Sequence, residues 1–187
     1  MKWRYHMRKS AAVIPLVLLL ALMLAGCGEQ TGQAEQYMDN ADKALEKVEP
    51  IYSKMVQDTV TLALDYAEGT STEPAGVKAK LDAIEKQLAE AKSGTERANR
   101  EFEKIYKLEG VHDFKEYALV QAELIDLLNA TRTTVSEIVD IVKTSSDTGQ
   151  PPDANRLNRL AGYLGLLSLR AGEVRMKADE LKKLRDI

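Results

Sequence analysis

Few residues in this 187-residue chain are of a type that does chemistry at neutral pH, and their spacing limits them further. Histidine is the commonest neutral-pH acid–base group and a common metal ligand; there are two, His6 and His112. His6 falls in an N-terminal segment that is removed on the reading given below. His112 then stands alone beside Asp113, where a helix is expected to start. A zinc site needs three or four converging ligands, and no spacing in the chain supplies them. The single cysteine, Cys27, forbids an internal disulfide and any multi-cysteine metal site. Met38, Met55 and Met176 are too widely spaced for a copper site and read as core filler. The Glu-x-x-His pattern of di-iron bundles is missing, as are a haem-attachment sequence, a Gly-x-Ser-x-Gly elbow and a phosphate-binding glycine loop. The chain is therefore expected to have no catalytic residue, no metal and no cofactor.

Cys27 has a different use. Lys2, Arg4, Arg8 and Lys9 form a basic start without an acidic residue. Residues 11–25 are apolar and uncharged, about 15 residues where a bilayer span needs about 20. The stretch ends in Leu24-Ala25-Gly26-Cys27. This ending resembles the lipobox of bacterial lipoproteins. The resemblance covers residues 1–27 and implies a bacterial source, cleavage between Gly26 and Cys27, and a diacylglyceryl group on the Cys27 thiol. The resemblance also implies acyl chains of the palmitate kind. The alternative is an uncleaved signal anchor in which Cys27 is incidental. No Arg-Arg pair precedes the apolar stretch, which points to the general secretory route. Two or more acyl chains give stable attachment, so the mature chain is expected to be anchored without spanning. Anchorage would be on the extracytoplasmic face of the cell membrane, or at the outer membrane in a two-membrane bacterium, to which Gly28 is a weak pointer.

Charge agrees with an anchor made by lipid alone. The signal segment holds four of the 26 basic residues and none of the 29 acidic ones, leaving 22 against 29, a net of −7. An acidic body repels anionic headgroups and has no excess base for a phosphate backbone, so no nucleic-acid partner is expected.

The elements that position everything else are helices. Apolar residues recur at alternating steps of three and four, the period of bundled helices. One stripe runs from Ala34 through Met38, Leu45, Val48, Tyr52, Met55 and Leu62 to Tyr66. Comparable stripes run Val77–Ile105, Phe114–Val142 and Leu157–Leu181. Glycine, proline and hydroxyl residues separate them at 69–74, 110–113 and 145–153. Gly110 is read as a stop, Asp113 with Glu116 as a capping box, and Asp153 as a helix cap. Ser93-Gly94 interrupts the second stripe. Pro50 is expected to kink the first helix by removing the bond to Glu46; a chain break there is the alternative. Six acid-before-base pairs at i, i+4, among them Asp39/Lys43 and Glu173/Lys177, are read as solvated faces. The expectation is an all-α protein: an antiparallel up-down four-helix bundle of long amphipathic helices. Residues 1–26 are the signal peptide, 27–33 the lipidated cysteine and a short spacer, and 34–187 the bundle, with helices at about 34–68, 74–108, 113–145 and 153–185.

Polar and small residues inside the stripes are the remaining feature. Thr95, Gln121 and Thr131 lie toward the middle of their helices, where they either pack against their own carbonyls or line a candidate ligand cavity. Gly162, Gly165 and Gly172 suggest close approach along the fourth helix. Two functions compete: a lipid-anchored, non-catalytic interaction or scaffold module with an envelope protein partner, and an extracytoplasmic ligand-binding or sensor-like bundle. The second is an analogy of architecture.

Overall fold

The structure, a computed structural model, describes the backbone of residues 7–69 and 74–187 and the side chains of 30–69 and 75–187. Lys2 and Arg4 of the basic start, and the side chains of Gly26 and Cys27 at the expected processing site, lie outside the described residues. The described chain is all-helical, with four helices and no strand: α1 (Met7–Ala67), α2 (Pro74–Tyr106), α3 (His112–Thr148) and α4 (Ala154–Arg185). The helices pack in a way compatible with a bundle. α1 and α3 each touch the other three helices, whereas α2 and α4 do not touch each other. The cross-section is thus a diamond whose short diagonal is α1–α3.

Burial follows the stripes. Met38, Leu45, Val48, Tyr52, Met55 and Leu62 of α1 are buried, and so are Ile84, Phe102 and Ile105 of α2. Leu124, Leu128, Val135 and Ile138 of α3 and Leu157, Leu164 and Val174 of α4 close the same core. α3 carries a second buried row, Ala118, Ile125 and Val139, because it faces three neighbours. Met38 and Met55 fill the core as expected, but Met176 is 61% exposed and faces outward.

Helix ends follow from backbone chemistry. Gly69 and Gly149 adopt positive φ of 68° and 67°, the left-handed stop that glycine adopts without strain, whereas Gly110, at 71°, lies in the connection, because α2 already ends at Tyr106. Asp153 caps α4 by accepting from the Arg156 backbone N–H at 3.0 Å. The expected capping box at α3 does not form: its N-cap is Val111, which makes no side-chain bond. Asp113 and Glu116 instead pair with Arg185 at 3.4 and 2.9 Å. α1 runs unbroken through Pro50 and also through the segment read as a spacer, which contains no proline. A break at Pro50 is excluded.

Two expectations about glycine exchange places. α2 passes through Gly94 without interruption, and a Cβ added there would lie 1.9 Å from Val48 Cγ2. Gly94 is thus a point of close approach between α1 and α2. A Cβ at Gly162, Gly165 or Gly172 would meet nothing within 4 Å, so these glycines give no close approach inside the chain. Of the six expected i, i+4 pairs, Asp39–Lys43 closes, at 4.0 Å. Three of the other acids bond to other partners: Glu173 to Arg170, Glu96 to Lys92 and Glu103 to Asn99.

Candidate functional site

Two polar clusters interrupt the apolar core, at different levels. The first is built on α3, where Tyr117 and Gln121 sit one turn apart on the buried face. The Tyr117 hydroxyl donates to Asp42 Oδ1 of α1 at 2.8 Å and accepts from Gln121 Nε2 at 2.6 Å. Lys182 of α4 donates to Asp42 Oδ2 at 2.9 Å and lies 5.8 Å from the Tyr117 ring centre. Phe102 of α2 meets the same ring edge-on at 6.2 Å. One phenol thus touches all three other helices. Its single proton goes to Asp42, which fixes the Gln121 amide with nitrogen toward Tyr117. Gln121 Oε1 is left buried with no partner. A groove of about 280 Å³ runs past this cluster, with Glu49, Arg175 and Asp179 along it.

Electrostatics keep the phenol neutral. Burial raises the Tyr117 pKa well above the phenol range, and the Asp42 charge and the bond donated to Asp42 add to it. Tyr117 is therefore a hydrogen-bond hub and not an acid–base group at neutral pH. The folded state holds the proton more tightly than the unfolded chain, whose phenol titrates near about 10. The resulting stabilisation is complete below that pH and is lost as pH rises through the folded value. Tyr117→Phe is expected to cost about 1–3 kcal/mol at pH 7, because Gln121 Nε2 loses its partner. It should also flatten the alkaline loss. Thermal melts at pH 7 and pH 11 check this; equal alkaline losses in parent and variant would exclude the coupling.

The second cluster is centred on Thr95. Its hydroxyl donates to Ala91 O at 2.9 Å and Lys92 O at 3.1 Å, its own helix. The Tyr52 hydroxyl approaches Thr95 but closes no hydrogen bond, and Arg132 Nη1 is likewise buried without a partner. Burial raises the Tyr52 pKa, with the Arg132 charge opposing. A separate groove of about 210 Å³ is lined by Thr95, Asn99, Asp126, Asn129 and Arg132.

The three residues read as one cavity are not brought together. Gln121 lines the first groove and Thr95 the second, while Thr131 lines neither and bonds to Leu127 O at 2.9 Å. Asp42 and Tyr52, which mark the two levels on α1, are ten residues apart, about 15 Å along a helix. Asp42, Lys182 and Arg132 were missed because each sits beside an apolar stripe, where a charge reads as solvated. Tyr117 was read as core, which it is. His112 is exposed at the start of α3. Among the described residues, no group of three or more His, Cys, Asp or Glu side chains is placed to hold a metal. No helix among them is long and apolar enough to cross a membrane.

The fold and its polar clusters define an all-helical four-helix protein whose buried polar groups tie helix to helix. Compared with known proteins, the chain matches no family model, no curated protein and no solved structure.

Proposed function

We propose that this protein is a lipid-anchored, extracytoplasmic helical-bundle module that binds an envelope protein and performs no catalysis. The observation that carries the reading is the N-terminal order of basic start, uncharged apolar stretch and Leu24-Ala25-Gly26-Cys27, ending on the chain's one thiol. Residues 1–26 are the signal and 34–187 the module. Its anchor is the lipid on Cys27, on the outer face of the cell membrane or at the outer membrane. Metal and nucleic acid have no part in it.

In this reading the helices run up-down-up-down. Cross-helix partners support that order. Along α1, Asp42 and Glu49 pair with Lys182 and Arg175 of α4, so one series rises as the other falls. Glu116, Glu123 and Glu137 of α3 pair with Arg185, Arg170 and Arg156 in the same way. Asp58 and Asp65 of α1 meet Gln87 and Lys80 of α2.

Cys27→Ser tests the anchor. Expressed in a bacterium fed labelled palmitate, the parent should take up label and the variant none. The variant's signal should also stay uncleaved by the lipoprotein peptidase. Normal processing and membrane retention of the variant would sink the reading.

The buried, unpartnered Gln121 Oε1 favours a second reading, a small donor-bearing ligand in the first groove. Gln121→Leu separates the two. For an interaction module it should change stability by less than about 1 kcal/mol, since an unpaired acceptor leaves with one hydrogen bond. A melting shift that envelope extract induces in the parent and not in Gln121→Leu would favour the ligand.

A further inference from the structure

The outward face of α4 does not look like a solvated face. Leu166, Leu169 and Met176 are 64%, 70% and 61% exposed, although the chain is acidic and richly charged elsewhere. Leu169 and Met176 belong to a second seam, opposite the core stripe, stepping by four and three through Asn158, Gly162, Gly165, Leu169, Gly172 and Met176, and Leu166 flanks it. No residue of that seam is charged. Glycine costs up to about 1 kcal/mol of helix stability relative to alanine, and nothing inside the chain touches these three. A period of 3.5 with small and large residues in turn is the pattern of a helix that packs on another helix.

We propose that this face binds a second copy of the chain, α4 against α4 in antiparallel order about a two-fold axis. Shape argues for it. With Leu169 across from the partner's Gly172, Met176 lies across from the partner's Gly165, so each knob meets a glycine. A parallel pair would set Leu169 against Leu169 and glycine against glycine, and the spacing would be uneven. Charge argues for the same register. The flanking row, spaced by seven, reads Arg159, Leu166, Glu173, Glu180. Neither Arg159 nor Glu180 makes an ion pair among the described residues. The antiparallel register brings Arg159 within two residues, about 3 Å along the axis, of the partner's Glu180, a gap that the two long side chains span, twice by symmetry. The face is about 35 Å long, which places the pair at the small end of specific interfaces, so a reversible dimer is expected. The pairing does not depend on the lipid anchor. Antiparallel order does set the two N-termini a bundle length apart, and both anchors reach one membrane when the pair lies flat on it.

The test uses the full chain in mild detergent, with Cys27→Ser as background so that introduced thiols are the only ones. Gly165→Cys and Met176→Cys are oxidised separately and as an equal mixture. The expected result is a disulfide-linked dimer in the mixture and almost none in either variant alone, because like positions lie eleven residues apart, about 16 Å. Cross-linking of each variant with itself would mean parallel pairing and would overturn the proposal. So would failure to cross-link in the mixture. Sedimentation of uncross-linked chains gives a second reading. Arg159→Glu should weaken the dimer roughly tenfold, and Arg159→Glu with Glu180→Arg should restore it. Gly172→Leu should give monomers with an unchanged helical spectrum, and a dimer as strong as the parent's would count against this face.

Discussion

Leu128→Ala is expected to lower stability by about 2–5 kcal/mol, the largest single loss at a side chain of its size. Leu128 is 3% exposed, one turn from Leu124 on the α3 face that meets all three neighbours. Removing its branched end takes away the transfer energy of the lost methyl groups. It also leaves a void that three helices cannot close together, because closing on one means opening from another. Asp126 lies between the two leucines in sequence and is exposed. Asp126→Ala should therefore stay within about 0.5 kcal/mol of the parent. Thermal or urea melts of both variants check the pair. A Leu128→Ala chain as stable as the parent would mean that the inward face of α3 has been assigned to the wrong residues.

That face was legible in the sequence because period alone determines it. Phe114, Tyr117, Gln121, Leu124, Leu128, Thr131, Val135, Ile138 and Val142 were read as one stripe, and all are buried. The width of the buried face was not legible. Ala118, Ile125 and Val139 form a second row that only a helix with three neighbours needs, and a stripe does not state how many neighbours its helix has. Helix stops at Gly69 and Gly149 were readable, since positive φ is a local demand; Gly110 was not one, because α2 ends four residues before it, at Tyr106. The capping box at Asp113 failed because α3 starts before it, with Val111 as N-cap, so that Asp113 sits inside the first turn, where it and Glu116 pair with Arg185 of α4.

The candidate site was legible residue by residue and not as an arrangement. Buried Gln121 and Thr95 were each picked out as polar members of apolar stripes. Their levels along the bundle depend on how far each helix slides against its neighbours, and that offset leaves no mark in a stripe. Asp42 on α1 and Lys182 on α4 reach Tyr117 from flanking positions 140 residues apart in the chain. Glycines show the same limit. Gly94 reads as a breaker and Gly162, Gly165 and Gly172 as packing positions, yet the structure reverses them. A missing side chain marks equally a helix end, a close approach or an open face, and only the neighbour decides.

Gly94 is therefore the sharper probe of how the helices meet. Gly94→Leu is expected to destabilise the chain by about 3 kcal/mol, at the upper end of overpacking costs. The first atom of the new side chain already lies 1.9 Å from Val48 Cγ2 and 3.3 Å from Val48 Cβ. Val48 cannot easily swing aside, because a β-branched residue in a helix holds one strongly preferred rotamer. It is 3% exposed, so neither can it move into solvent. α1 and α2 must separate, and with them the contacts that Tyr52 and Ala91 make on either side. Gly94→Ala poses the milder form of the question. Better helix propensity favours it by up to about 1 kcal/mol, while the clash opposes it, and a net loss of about 1–2 kcal/mol is expected. Val48→Ala removes the clashing methyls and decides the cause. On that background Gly94→Ala should become neutral or stabilising, a coupling of about 1–3 kcal/mol between the two sites. Additive effects in that double-mutant cycle would show that Gly94 is retained for some reason other than the closeness of α1 and α2.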